Sequence, residues 1–234
     1  MVSPSLPNYT LRRSSRARHV RLHVTPAEGL VVVVPLRFDG ARVAELLDAK
    51  RGWIDRKLSA LQTIKTDFAL PETVELKSIE KTWSVIYRPG VSASVSARPS
   101  GSKLIVSGAV EDHAKCRGAI RRWLSRQAKK ELVPRLEQLS RVHALSYRKV
   151  TVRGQKTRWG SCSSRQNISI NYQLLFLDSA LVNCVLIHEL CHTRELNHGA
   201  AFWQRVEKIE PDYQHLHQTL RREWTNLPGW LMLR

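Results

Sequence analysis

The sequence predicts an α+β protein: a β-rich N-terminal unit over residues 1–110, then a region over 111–234 combining a small antiparallel sheet with helices. Three observations carry this expectation. Residues 19–24 alternate polar and apolar, break at Thr25-Pro-Ala-Glu-Gly29, and resume as Leu30-Val-Val-Val-Val34, which is the pattern of a hairpin. Residues 111–140 repeat apolar side chains at helical spacing. Residues 179–196 form a largely apolar run with no Gly or Pro, directly after two strand-like segments.

The elements follow in order. After the hairpin, Val43, Leu46, Leu47, Trp53, Ile54, Leu58 and Leu61 place one helix over 41–63, despite Gly52. Thr73–Leu76, Thr82–Tyr87 and Ser92–Ser107, the last interrupted by a Pro-Ser-Gly-Ser turn, read as strands. Ile120, Trp123, Leu124, Leu132, Leu136 and Leu139 face one side of the long helix, which Pro134 is expected to kink or split. Lys149–Val152 and Ile168–Leu177 are expected strands around a basic loop. The helix over 179–196 has Asp178 or Ser179 as its cap. Further helices are expected at about 200–208, ending before Pro211, and at about 212–224.

Composition bounds the function. An apolar share of 42% excludes a largely disordered chain. The opening residues lack the apolar core of a signal peptide, and the runs Leu30–Leu36 and Leu181–Ile187 are far too short to span a bilayer. Four cysteines form no C-x-x-C pair, which fits reduced thiols; a soluble, cytoplasmic protein is expected. The net charge of +18 favours anionic partners, so contact with nucleic acid or nucleotides is an open expectation, although no nucleic-acid-binding motif accompanies it. The charge concentrates at Arg12–Arg21, Arg117–Lys130 and Arg148–Arg165.

The chemistry lies in His188-Glu-Leu-Cys-His192. Positions four apart on a 3.6-residue helix sit about 40° from each other, so His188 and His192 can direct ring nitrogens at one ion. Glu189 lies about 100° around the helix, off the metal but within reach of a water near it, the place of a general base. Random placement would give such a motif about 0.02 times in a chain of this composition, so two merely packed histidines are a poor explanation. A third ligand separates a catalytic site from a bare pair. His198, flanked by the turn-forming Asn197 and Gly199, is the first choice, with Glu195, Glu207 and Cys191 as competitors. These donors point to Zn²⁺, with manganese and iron as alternatives that availability and geometry decide between. Arg158 in the basic loop is the chosen stabiliser of negative charge developing during hydrolysis, with Asn171, Tyr172, Tyr213, His215 and His217 as alternatives. A stacked structural pair of Arg158 and Trp159 is the competing reading.

Arg158-Trp-Gly-Ser-Cys162, Ile168-Ser-Ile-Asn-Tyr172, His188–His192, Asn197-His198-Gly199 and Phe202-Trp203 together resemble the YgjP-like zinc metallopeptidase family, bacterial relatives of the SprT and WLM metallopeptidases. The resemblance implies a zincin-like catalytic region with His188, His192 and His198 on zinc, Glu189 as base, and a protein or peptide substrate. Some relatives are described as nucleoside triphosphate pyrophosphohydrolases, so phosphoanhydride hydrolysis is the first alternative; a nucleic-acid-binding protein with a structural zinc is the second. The His198 spacing also matches the metzincins. Glu195 replaces their Gly, however, and the only methionines are Met1 and Met232, which leaves no Met-turn.

Overall fold

The computed structural model describes residues 7–25, 29–64 and 69–232. The chain forms two compact units, Met1–Ala69 with Pro228–Arg234, and Leu70–Leu227.

In the first unit, β1 (Tyr9–Ser14), β2 (Arg21–Thr25) and β3 (Gly29–Pro35) form a sheet in the order β1-β3-β2. β2 and β3 are the expected antiparallel hairpin, with Leu22 opposite Val32; its turn at 26–28 lies outside the described residues. β1, which the sequence reading missed, runs parallel to β3. A strand paired on both sides explains why β3 is a continuous apolar run rather than an alternating one. The helix expected over 41–63 is two helices, α1 (Arg42–Ala49) and α2 (Arg51–Ile64), separated at Lys50. The break lets Val43, Leu47 and Ile54 join Leu30, Val32 and Val34 in one core. Part of the opening arginine cluster is structural. Arg13 Nη1 donates to the carbonyls of Leu36 and Phe38 at 2.7 and 3.0 Å. The short helix α7 (Gly229–Met232) ends the described chain.

The second unit opens with β4 (Thr73–Leu76), β5 (Lys81–Pro89), β6 (Val95–Ser100) and β7 (Lys103–Gly108), ordered β4-β5-β7-β6. β5 and β7 run parallel, and β6 returns antiparallel through a turn in which Gly101 takes a positive φ of 58°. The sheet packs against α3 (His113–Val142). Trp83 meets Trp123 edge to face at 5.2 Å. Arg122 and Arg126 donate to the carbonyls of Val95 and Ala97 at 2.7 and 3.0 Å, occupying acceptors on the edge strand β6. These contacts explain why the compact units divide at 69/70 and not at 110, where the sequence reading drew its boundary.

α3 continues through Pro134 as one helix, neither split nor ended there. Leu132 and Leu136, on either side of the proline, are fully buried. Packing on both sides offsets the hydrogen bond that proline removes. Beyond α3, β8 (Lys149–Arg153), β9 (Gly160–Cys162) and β10 (Asn167–Asn171) form a sheet ordered β8-β10-β9. β10 is parallel to β8 and antiparallel to β9. The strand expected over 168–177 stops at Asn171, because the Asn171 side chain accepts from the backbone N–H of Gln173 at 3.1 Å and starts a 3₁₀ turn over Tyr172–Phe176. α4 (Ser179–Cys191), α5 (Ala200–Ile209) and α6 (Tyr213–Asn226) complete the unit. The mixture of helices and small sheets is the predicted α+β class. Among the described residues no helix is long and apolar enough to cross a membrane.

Candidate active site

α4 is apolar on nearly all sides and is correspondingly central. Leu181, Val182, Cys184, Val185, Leu186, Ile187, Leu190 and Cys191 are all buried. Asp178 occupies the cap position but makes no side-chain capping bond. The helix start is held instead by Arg135 of α3, which donates to Asn183 Oδ1 at 2.6 Å and to the Ser179 carbonyl at 2.7 Å. The helix ends at Cys191 rather than running to 196. Thr193 Oγ1 donates to the Leu190 carbonyl at 2.7 Å, and the N–H groups of Arg194 and Glu195 both reach the Cys191 carbonyl. A hydroxyl bonded back to the preceding turn competes with helix continuation.

That early stop builds the site. It turns the chain so that the Glu195 carbonyl meets His192 Nδ1 at 2.9 Å, and His198 returns to the helix face. A carbonyl needs a donor, so His192 carries its proton on Nδ1 and presents a lone pair at Nε2. The Nε2 atoms of His188, His192 and His198 lie 3.1 Å from one another, pair by pair. Neutral imidazole Nε2 atoms each hold either a proton or a lone pair, so this triangle cannot be satisfied by mutual hydrogen bonds. One cation accepting all three lone pairs satisfies it. Donors arranged tetrahedrally about 2.0–2.1 Å from one ion lie about 3.3–3.4 Å apart, close to the spacing seen here. Among the described residues these three histidines form a group able to hold a metal ion, and His198 is its exposed member.

Packing fixes the rings. Phe202 of α5 stacks on His192 at 4.4 Å with 26° between planes, and meets His188 and His198 edge to face at 4.9 and 4.8 Å. Burial first, then the neighbouring imidazoles of His192, His217 and His198, pushes His188 down to about 3. His192 is also lowered, chiefly by burial. Both groups are therefore held in the neutral form that ligates.

Glu189 is 5% exposed, with Oε2 buried and unpaired among the described residues. Burial pushes its carboxyl up to about 8, opposed by the charge of Arg158. The backbone of Gly160 on β9 lies directly against it: a Cβ at that position would stand 2.7 Å from Glu189 Cγ. Glu189 lines a cavity of about 330 Å³ together with His188 and Val185 of α4. β9 and its approach add Gly160 and Trp159; α6 adds His217, Leu220, Arg221 and Trp224.

Of the residues singled out from sequence, His188, Glu189, His192 and His198 come together. Arg158 is exposed on the approach to β9, and its side chain does not line the cavity; its charge acts on Glu189. The pairing of Arg158 with Trp159 is replaced by Trp159 on Trp224, stacked at 4.1 Å and 22°. Trp159 Nε1 donates to the Leu220 carbonyl at 3.3 Å. Asn171 is fully buried and organises the basic loop, its Nδ2 lying 3.0, 2.9 and 3.1 Å from Gln155 O, Arg158 O and Gln173 Oε1. Among the rival ligands, Cys191 is a fully buried thiol pushed up to about 11 by burial, and the Glu195 carboxylate pairs with Arg205 at 3.6 Å. The contributions of Trp224, Arg221 and the Glu195 carbonyl were missed. Only the helical spacing of Leu220 and Trp224 with His217 signals the first two.

No curated protein matches the chain. Among solved structures, the crystal structure of the metallopeptidase zymogen abylysin of Pyrococcus abyssi aligns at 23% identity and a TM-score of 0.35, covering 38% of this chain and 90% of that one. A family model described as YgjP-like, metallopeptidase domain matches residues 18–223, most of the sequence. The chain therefore belongs to the YgjP-like metallopeptidase family.

Proposed function

We propose that this metallopeptidase-family protein is a zinc-dependent peptidase whose catalytic domain holds the ion on His188, His192 and His198 and uses Glu189 as general base. The observation that carries the reading is the triangle of three Nε2 atoms 3.1 Å apart, one of whose histidines, His188, lines a cavity together with Glu189, whose Oε2 is buried without a partner among the described residues. Zinc held there supplies Lewis acidity and lowers the pKa of a water toward about 7. Glu189 takes the proton of the attacking water at Oε2, its unpartnered oxygen, and delivers it to the leaving amine. Removal from solvent raises its affinity for the proton, and the positive charge of Arg158 favours the ionised form in which it acts as base. Gly160 seats it, because no larger residue allows β9 to approach so closely.

β9 is an edge of its sheet. Its outer side offers backbone groups to an extended peptide, which would add as a further strand across the cavity. His217, lining the cavity with its ring 5.2 Å from that of His188, is the donor assigned to the developing oxyanion, while Arg158, outside the cavity, adds positive charge felt at Glu189. The test pairs Glu189→Gln with the native protein on peptide and nucleoside triphosphate panels. Peptide hydrolysis that disappears in the variant while zinc content holds is expected. Release of pyrophosphate without peptide cleavage would transfer the same residues to phosphoanhydride chemistry.

A further inference from the structure

We propose that the cavity beside Glu189 contains a carboxylate-binding subsite formed by Arg221, so that the preferred substrates present a carboxylate near the scissile bond. The inference rests on the peptidase reading and names its substrate class. His217, Leu220, Arg221 and Trp224 fall at spacings of three, four and seven along α6, one face of a helix, and all four line the cavity opposite His188 and Glu189.

Arg221 differs from the other arginines whose contacts shape this unit. Arg122, Arg126 and Arg135 donate to backbone carbonyls, and Arg205 pairs with Glu195. No hydrogen bond or ion pair among the described residues engages the Arg221 guanidinium. Among the described residues the only carboxylate lining the cavity is that of Glu189, which is buried and feels the charge of Arg158. Arg221 also lines an adjoining hollow of about 320 Å³ with Trp203, Tyr213 and Gln218, so its charge stands where the two spaces meet.

Apart from His188, Glu189 and His217, the side chains around Arg221 in the cavity are apolar. The Trp159–Trp224 stack, Val185 and Leu220 offer contact to a hydrocarbon stem but no acceptor for a cation. A substrate ammonium there would meet a like charge. A carboxylate would meet a planar, solvent-exposed guanidinium able to bind both its oxygens, beside the aromatic surface of Trp224. The carboxylate has two possible sources, an Asp or Glu side chain or the free C-terminus of the peptide.

The test uses one cleaved peptide in four versions: Glu or Gln beside the scissile bond, each with a free or amidated C-terminus. Hydrolysis is followed with the zinc-loaded native protein. Binding is followed with Glu189→Gln protein by isothermal titration calorimetry. A carboxylate version is expected to be favoured by about tenfold at low ionic strength and by less at high salt. The Glu/Gln pair and the acid/amide pair show which source is read. Arg221→Gln should abolish the preference, and Arg221→Glu should transfer it to a Lys-containing peptide. Equal treatment of all four peptides, or a preference that survives in Arg221→Gln, overturns the proposal even if every peptide is cleaved, in which case the peptidase reading stands. An Arg221-dependent binding preference without any hydrolysis would keep the subsite and remove the peptidase reading.

Discussion

Substituting Gly160 by Ala tests whether the base is positioned by close backbone approach. The added methyl would lie 2.7 Å from Glu189 Cγ, 2.8 Å from Oε1 and 3.0 Å from Cδ. Ordinary contact begins near 3.4 Å, so the carboxylate or the strand must give way by roughly 0.7 Å. Glu189 is 5% exposed and borders the cavity, so its carboxylate can yield only toward that space, away from its native position. Overpacking of this kind costs about 1–3 kcal/mol of stability. A displacement approaching 1 Å at a reacting group costs on the order of 100-fold in rate. Gly160→Ala should therefore keep its metal, since the overlap falls on Glu189 and not on the three imidazoles, while kcat on a cleaved peptide falls by about 10- to 100-fold. Metal analysis, thermal unfolding and steady-state kinetics on one preparation measure all three quantities. An alanine variant with native kcat would refute the idea that Gly160 seats the base.

Two further outcomes follow from the same geometry. His198→Ala should lower zinc retained after gel filtration well below one per chain while the fold persists, because His198 is exposed and its removal leaves two imidazoles; unchanged stoichiometry would assign the third ligand elsewhere. In metal-free protein, His188 is neutral in the folded state down to about 3, against an ordinary value of 6.5. Its contribution to stability is then complete above the unfolded value and is lost as pH falls from 6.5 toward 3, with a slope of up to about 1.4 kcal/mol per pH unit. Denaturant midpoints of metal-free native protein and His188→Asn across that range would show it, and identical slopes in the two would contradict it.

Much of this site was legible because its signal is local. His188, Glu189 and His192 are fixed by helix geometry alone, and Asn197-His198-Gly199 announces a turn. What the sequence concealed depends on distant partners. The helix was expected to reach 196, and its early end comes from the Thr193 hydroxyl bonding the Leu190 carbonyl, one of several conformations open to a Thr. β9 is three residues of Gly, Ser and Cys, with no apolar alternation to mark it. It exists because β10 pairs with it. Trp159 stands next to Arg158 in sequence, yet stacks on Trp224, a neighbour supplied by tertiary packing. The basic clusters were likewise ambiguous. Charge counts cannot separate Arg13, Arg122 and Arg135, which tie elements together, from Arg221, which faces a cavity.

The central claim is that His188, His192 and His198 meet one ion that keeps an open position. X-ray absorption at the zinc edge of the purified, metal-loaded protein tests it most directly. The account predicts three nitrogen donors at about 2.0–2.1 Å, one light oxygen scatterer and no sulfur. A sulfur shell near 2.3 Å, or four protein ligands closing the sphere, would contradict it.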